Sequence, residues 1–262
     1  MARFSANLGF LWCELPLPAA IRTAAGAGFD AVECHWPYRW PAREVRDALA
    51  ETQLPMVCIN ISGDDARLDE FGLAAVPGRE PVFRAAVEQA LAYASAIGCS
   101  RVQAVAGRTN GATAHKTAVG NLGWACAQAA AHDIEIVIEP KNTRDVPGYF
   151  LTSVEQAAAL IEEVGASNLA LLFDCYHVQI NQGDLIRRFE RHREIISHIQ
   201  IAAVPERGAP DGGEIAYQRV IAHFLATGYR GCFGAEYKPD GDTAASLGWL
   251  PEFQRIGNRD TG

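Results

Sequence analysis

This chain of 262 residues lacks the marks of an extracellular, membrane-bound or nucleic-acid-binding protein. Its seven cysteines (Cys13, Cys34, Cys58, Cys99, Cys126, Cys175, Cys232) are scattered and odd in number, and no two form a C-x-x-C pair. They therefore indicate neither a zinc site nor a dithiol centre, and read as small buried hydrophobes in a reducing compartment. No apolar run reaches the ~20 residues of a membrane span. Met1 to Pro18 has no basic segment followed by an apolar stretch, and Glu14 and two prolines interrupt it. That pattern predicts no secretory leader and a cytoplasmic location. An excess of basic charge is missing too: the formal net charge is −8, with acids spread along the whole chain. Such a chain offers no footprint for DNA phosphates or an anionic membrane. Linkers, low-complexity tracts and repeats are absent, and no G-x-G-x-x-G turn follows the first apolar run.

What is present is an alternation. Eight short apolar or β-branched runs recur from end to end: Phe4 to Leu8, Ala31 to Cys34, Met56 to Ile61, Arg101 to Ala106, Ile134 to Glu139, Leu169 to Asp174, His198 to Ile201 and Cys232 to Glu236. Between them lie stretches of helical spacing such as Arg84 to Ile97, Thr113 to Ala131 and Val154 to Val164. Strands alternating with helices predict βα units on a parallel sheet. Gly26, Gly28, Gly98, Gly165, Gly228 and Gly231 stand before strands, where helix C-termini favour glycine. Thr152 has capping-box spacing to Glu155, which predicts a helix start there. Eight evenly spread units over this length predict a single (β/α)₈ TIM barrel, one domain over residues 1–262.

Four of the runs end on, or one residue before the end with, an oxygen-bearing side chain: Glu139, Asp174, Gln200 and Glu236. Each step between them spans about one βα unit, so all four fall at one height. In a closed barrel that height is the C-terminal mouth, where groups distant in sequence converge. One acid at a strand end is ordinarily solvated or salt-bridged. Three acids and an amide at matching places imply a cation, because an unpaired buried carboxylate is several kcal/mol unfavourable or else takes up a proton. Oxygen ligands alone select a hard ion, Mg²⁺ or Mn²⁺. Three carboxylates on a divalent ion leave about one negative charge. His198, two residues before Gln200, shares its strand face and either lines the interior or is a satisfied core histidine. His177, just past Asp174, is either a donor to a substrate hydroxyl or a surface-loop histidine. Arg207, in a polar loop, is either solvated or grips a substrate carboxylate. Trp12, Trp36 and Tyr38 shape the pocket, a subunit contact or the core; a homo-oligomer is compatible with them.

With these residues in view, the chain resembles the hydroxypyruvate isomerase family of xylose-isomerase-like barrels, which includes the 2-oxo-tetronate isomerases. The resemblance runs nearly end to end. It is carried by Arg3 to Leu8, Gly28 to Glu33, Pro77 to Glu80, Ile138-Glu139-Pro140, Pro147 to Leu151, Phe173-Asp174 with Tyr176-His177, His198 to Ala202, and Glu236 to Pro239. It implies that Glu139, Asp174, Gln200 and Glu236 are metal ligands and that Glu139 and Glu236 are also the catalytic proton-transfer pair. Related ketose 3-epimerases carry histidine where this chain has Gln200, and use residues matching His177 and Arg207 to hold substrate. The chain departs from the family in the loop Cys34 to Trp40, at Lys141, where an apolar residue is common, and at Ala209, which replaces a usual glutamate.

The expected function is metal-dependent isomerisation of a short sugar acid, hydroxypyruvate to tartronate semialdehyde, through an enediolate. A carboxylate removes the proton beside the carbonyl and another returns one to the neighbouring carbon. A 2-oxo-tetronate isomerase, a ketose 3-epimerase and a metal-assisted hydride shift are the alternatives within that chemistry. Outside it stand an apurinic-site endonuclease, which calls for a histidine-rich multi-zinc site and a basic face, and a catalytically silent binding barrel. The expected partner is the small sugar acid alone, with no nucleic acid and no membrane.

Overall fold

The computed structural model describes residues 1–61 and 71–257. Eight parallel strands close into a barrel in chain order: β1 (Arg3–Asn7), β2 (Ala31–Cys34), β3 (Met56–Asn60), β4 (Arg101–Gln103), β5 (Glu135–Ile138), β6 (Leu169–Asp174), β7 (Ile196–Ile201) and β8 (Cys232–Ala235). Closure is made by β1 against β8, with Phe4 beside Phe233 and Ala6 beside Ala235. The outer layer holds α1 (Leu17–Gly26), α2 (Ala42–Thr52), α3 (Glu80–Ile97), α4 (Gly111–Ala130), α5 (Val154–Val164), α6 (Cys175–Asn181), α7 (Leu185–His192), α8 (Tyr217–Ala226) and α9 (Leu250–Gln254). No described helix is long and apolar enough to cross a membrane.

Strands covered on both faces bury nearly every residue, which is why these runs are almost continuously apolar rather than alternating. The main core lies between strands and helices; Phe4, Phe233, Trp249 and Phe253 pack edge and tilt against one another over the β1–β8 seam. Each such ring contributes about 1.5–3 kcal/mol by leaving water. A second, small cluster of Cys58, Val137, Ala170 and Leu172 comes from alternate positions of β3, β5 and β6. Those positions face the barrel axis, and from there towards the C-terminal rim the interior turns polar.

Several boundaries differ from the sequence expectation: β1 and β3 end one residue early and β7 begins two residues sooner, at Ile196. Glu139 and Glu236 sit one residue beyond β5 and β8, because the chain leaves the ladder to reach the rim. β4 is only Arg101–Gln103, half the expected length. The cap of α5 is Ser153, not Thr152: Ser153 Oγ accepts from Gln156 N–H at 3.1 Å, while the Gln156 amide oxygen accepts from Thr152 N–H at 3.0 Å. The capping logic holds, shifted by one residue.

Candidate active site

A buried carboxylate needs donors, and Glu33 on β2 has four. Ser5 Oγ donates at 2.8 Å, Asn7 Nδ2 at 3.0 Å and Gln200 Nε2 at 2.7 Å, and His198 Nε2 lies 2.7 Å away. Burial alone would raise the Glu33 pKa, but His198 and Gln200 outweigh it and the net shift is downward. The space for this carboxylate comes from β8, where a Cβ on Gly234 would stand 2.6 Å from a Glu33 oxygen. His198 is thus a satisfied interior histidine that lines the layer beneath the rim.

At the rim three of the four expected ligands share a pattern, one terminal atom pinned by the protein and the other without a hydrogen bond, whereas both oxygens of Glu236 are engaged. Asp174 Oδ1 caps α6 by accepting Tyr176 N–H at 2.8 Å, and Oδ2 is the spare atom. Glu139 Oε2 accepts from Gln103 Nε2 and from the Lys141 ammonium, leaving Oε1. The Gln200 amide nitrogen is taken by Glu33, leaving its Oε1. For Glu236, Oε1 meets Asn7 Nδ2 at 3.1 Å and His35 Nε2 at 2.8 Å, while Oε2 pairs with Arg207. Glu139 Oε1, Asp174 Oδ2 and Gln200 Oε1 are buried acceptors without a hydrogen-bond partner among the described residues. All four residues are at most 5% exposed. Strand register sets Asp174 level with Gln200, and Gln200 level with Gly234, two residues before Glu236.

Buried acceptors without donors cost about 1–3 kcal/mol each, more where charged, so this donor set fits a hard divalent cation. Asp174 records the same strain. Burial, with the charges of Glu236 and Glu139, raises its pKa to about 8 against the opposing pull of Arg207. Glu236 moves the other way: burial pushes up, but Arg207 and His35 prevail and hold it well below the carboxylate range.

His177 is buried on α6 rather than on a surface loop, and lies 3.6 Å from both Glu139 Oε1 and Asp174 Oδ2. One atom each from Glu139, Asp174 and His177 fall within 4.8 Å of one another, so distance alone would admit the histidine as a ligand. Its chemistry argues otherwise. Nδ1 accepts the Asn142 backbone N–H at 3.1 Å, which places the proton of a neutral ring on Nε2 and makes that atom a donor. Burial, then Lys141 and Arg207, depress its pKa and keep the ring neutral.

Arg207 is not a solvated loop residue. Its guanidinium lies between the Phe10 and Tyr176 rings, 4.8 and 5.0 Å from their centroids, and Nη2 stands 3.6 Å from Asp174 Oδ2 besides pairing with Glu236. Its backbone is left-handed, φ 55°, held by Arg207 N–H to Ala203 O and Lys238 N–H to Arg207 O. Non-glycine residues in that region concentrate at functional sites.

Sequence reasoning did not select Glu33, Asn7, His35, Gln103 or Lys141. His35 reaches Glu236 because Gly9 leaves room: a Cβ there would stand 2.3 Å from its ring. Of the aromatics, Trp12 is core, Tyr38 donates to Asn60 O at 2.5 Å, and Trp36 is 55% exposed. An acid inside an otherwise apolar β2, with a glycine two strands away on the other side of β1, was the available signal for Glu33.

Comparison with known proteins follows the same line. Residues 21–253 match the model of the xylose isomerase-like TIM barrel family. A 2-oxo-tetronate isomerase from Cupriavidus necator is 42% identical over 257 residues, covering 97% of this chain and 99% of that one. A hydroxypyruvate isomerase from Escherichia coli is 37% identical over 258 residues, covering 97% and 100%. Among solved structures, one described as an AP endonuclease, family 2, from Brucella melitensis superposes with a TM-score of 0.93 at 38% identity, covering 99% of this chain and 100% of that one.

Proposed function

The chain belongs to the xylose isomerase-like TIM barrel family, and on that premise we propose that it is a metal-dependent aldose–ketose isomerase of short sugar acids, converting hydroxypyruvate to tartronate semialdehyde through an enediolate. That it is an isomerase follows from its full-length relatives. The observation that carries the proposal is the trio of buried oxygens on Glu139, Asp174 and Gln200 that accept no hydrogen bond among the described residues.

A divalent cation, Mg²⁺ or Mn²⁺, held by Glu139, Asp174, Gln200 and Glu236, would polarise the substrate carbonyl and stabilise negative charge developing on its oxygens. The chain's own residues do the rest. Glu139 follows β5 and Glu236 follows β8, with β6 and β7 between them, and they are the proton-transfer pair, one taking the proton beside the carbonyl and the other returning one. Pinning of Glu139 Oε2 by Gln103 and Lys141, and of Glu236 Oε1 by Asn7 and His35, orients both carboxylates before substrate arrives. Preorganisation of this kind lowers the barrier without reorganisation during the reaction. Arg207 would receive the substrate carboxylate, its planar fork already stacked between two rings. His177 would donate its Nε2 proton to a substrate hydroxyl.

The nuclease name of the Brucella structure is a weaker guide. The net charge is −8, and a phosphate-binding surface would need basic excess. The test is turnover of hydroxypyruvate, 2-oxo-tetronates and neutral ketoses by metal-stripped protein, with Mg²⁺ or Mn²⁺ restored and products read by NMR. Metal-dependent conversion of the acids supports the proposal; conversion of ketoses to their C3 epimers alone would replace it with an epimerase.

A further inference from the structure

Lys141 lies immediately after Pro140 on the loop leaving β5. Its backbone is fixed from both sides: its N–H donates to Leu151 O at 2.9 Å, and its carbonyl accepts from Asn181 Nδ2 at 3.1 Å. Its side chain is 10% exposed, with the ammonium on Glu139 Oε2 and 5.8 Å from the centre of the Phe71 ring. Ordering and burying a lysine is costly, since its chain carries much rotamer freedom and its charge is strongly hydrated. Gln103 also donates to the same oxygen, at 2.5 Å, so the lysine shares the task of holding Glu139.

The charge balance of the rim shows what the lysine changes. Glu139, Asp174 and Glu236 bring three negative charges, and Arg207 and a divalent cation would bring three positive ones. That set is neutral, and preference for an acid would rest on Arg207 alone. With Lys141 the rim carries one net positive charge, opposite to the charge of one carboxylate. Glu33, a layer lower, has its charge spread over four donors of its own. An ammonium has three protons to give, and Glu139 Oε2 is its only hydrogen-bond partner among the described residues.

We propose that Lys141 is a specificity-determining residue that strengthens the loaded site's preference for a monoanionic hydroxy or keto acid over an uncharged sugar, by adding a second cation to Arg207 for the substrate's anionic oxygens. The inference rests on the sugar-acid reading of this site and deepens it.

The test uses calorimetry with D-glycerate, a short hydroxy acid that has no carbonyl to isomerise, and methyl D-glycerate, its uncharged ester. Wild type, Lys141→Met and Lys141→Gln are each first saturated with Mn²⁺ as judged by their own metal titrations. Loss of a charge-assisted contact predicts about 10- to 100-fold weaker binding of glycerate to the variants, with ester binding changed less than about twofold. Glycerate affinity within twofold of wild type in whichever variant folds, or equal weakening for acid and ester, overturns the proposal by making the lysine structural. The two readings fail separately. Wild type that binds glycerate but turns over no sugar acid removes the isomerase reading, whereas turnover with glycerate binding indifferent to Lys141 removes only this inference.

Discussion

Glu33 accepts the amide proton of Gln200 at 2.7 Å, although 167 residues separate them, and this bond decides which end of the Gln200 amide faces the carboxylates at the rim. With nitrogen committed to Glu33, the amide presents oxygen, the atom a hard cation takes. A carboxylate that was not among the sequence candidates thus orients an amide that was.

Glu33→Gln should therefore weaken Mn²⁺ binding by about 10- to 100-fold, the usual cost of losing a group that orients a metal ligand. The amide of the variant can offer either oxygen or NH₂ to Gln200, so the orientation is no longer enforced. Calorimetric titration of Mn²⁺, with circular dichroism to confirm the fold, checks this. Unchanged affinity would mean that Gln200 is oriented by something else or is not a ligand.

Asp174 ties metal affinity to pH. A carboxyl raised to about 8 from its ordinary 3.8 keeps its proton between those values in the metal-free protein, and a cation binding there must displace it. Metal binding should release close to one proton at pH 6.5–7 (about one unit or more below that pKa), and progressively less as pH rises beyond it. Apparent affinity should climb with pH up to about 8 and then level. Titrations in buffers of different ionisation enthalpy measure the proton count directly; no release at neutral pH would contradict the assignment.

Legibility in the sequence followed the physics of each element. The barrel could be read because buried parallel strands are continuous apolar runs, and the four candidate ligands because each terminates such a run. What escaped was pairing across the interior. Nothing local marks Glu33 as the partner of Ser5, His198 and Gln200, and Lys141 and His35 look like ordinary loop residues until the barrel closes them onto Glu139 and Glu236. The same holds for Arg207, whose two aromatic neighbours are 197 and 31 residues away in the chain. The cap at Ser153 was missed by one position because two adjacent residues had the right chemistry, and only the backbone decides between them.

Arg207→Met should destabilise the metal-free protein, because it leaves Glu236 buried beside Asp174 without its guanidinium. Breaking one side of a buried ion pair costs about 3–5 kcal/mol. Mn²⁺ should restore more stability to the variant than to wild type, since the cation replaces the lost charge. Turnover of acid substrates should show a KM raised about tenfold or more, from loss of a charge-assisted contact. Thermal unfolding with and without Mn²⁺ and steady-state kinetics check both; an unaltered KM would remove Arg207 from substrate binding.

Glu139→Gln should abolish a proton acceptor while leaving the barrel folded, with turnover falling about 10²- to 10⁴-fold. In the wild type, reaction in deuterated water should place deuterium on the carbon that receives the proton. Full retention of substrate hydrogen would exclude exchange through Glu139 and Glu236 and favour a hydride shift.

The central claim is that Glu139, Asp174, Gln200 and Glu236 hold one hard cation, with Glu236 released from Arg207 to reach it. Anomalous diffraction from crystals grown with Mn²⁺ tests it most directly. A single strong peak about 2.1 Å from an oxygen of each of the four, with Lys141 and Arg207 turned away from it, is the predicted result; a rim without a peak, or an ion bound elsewhere in the barrel, would contradict the account.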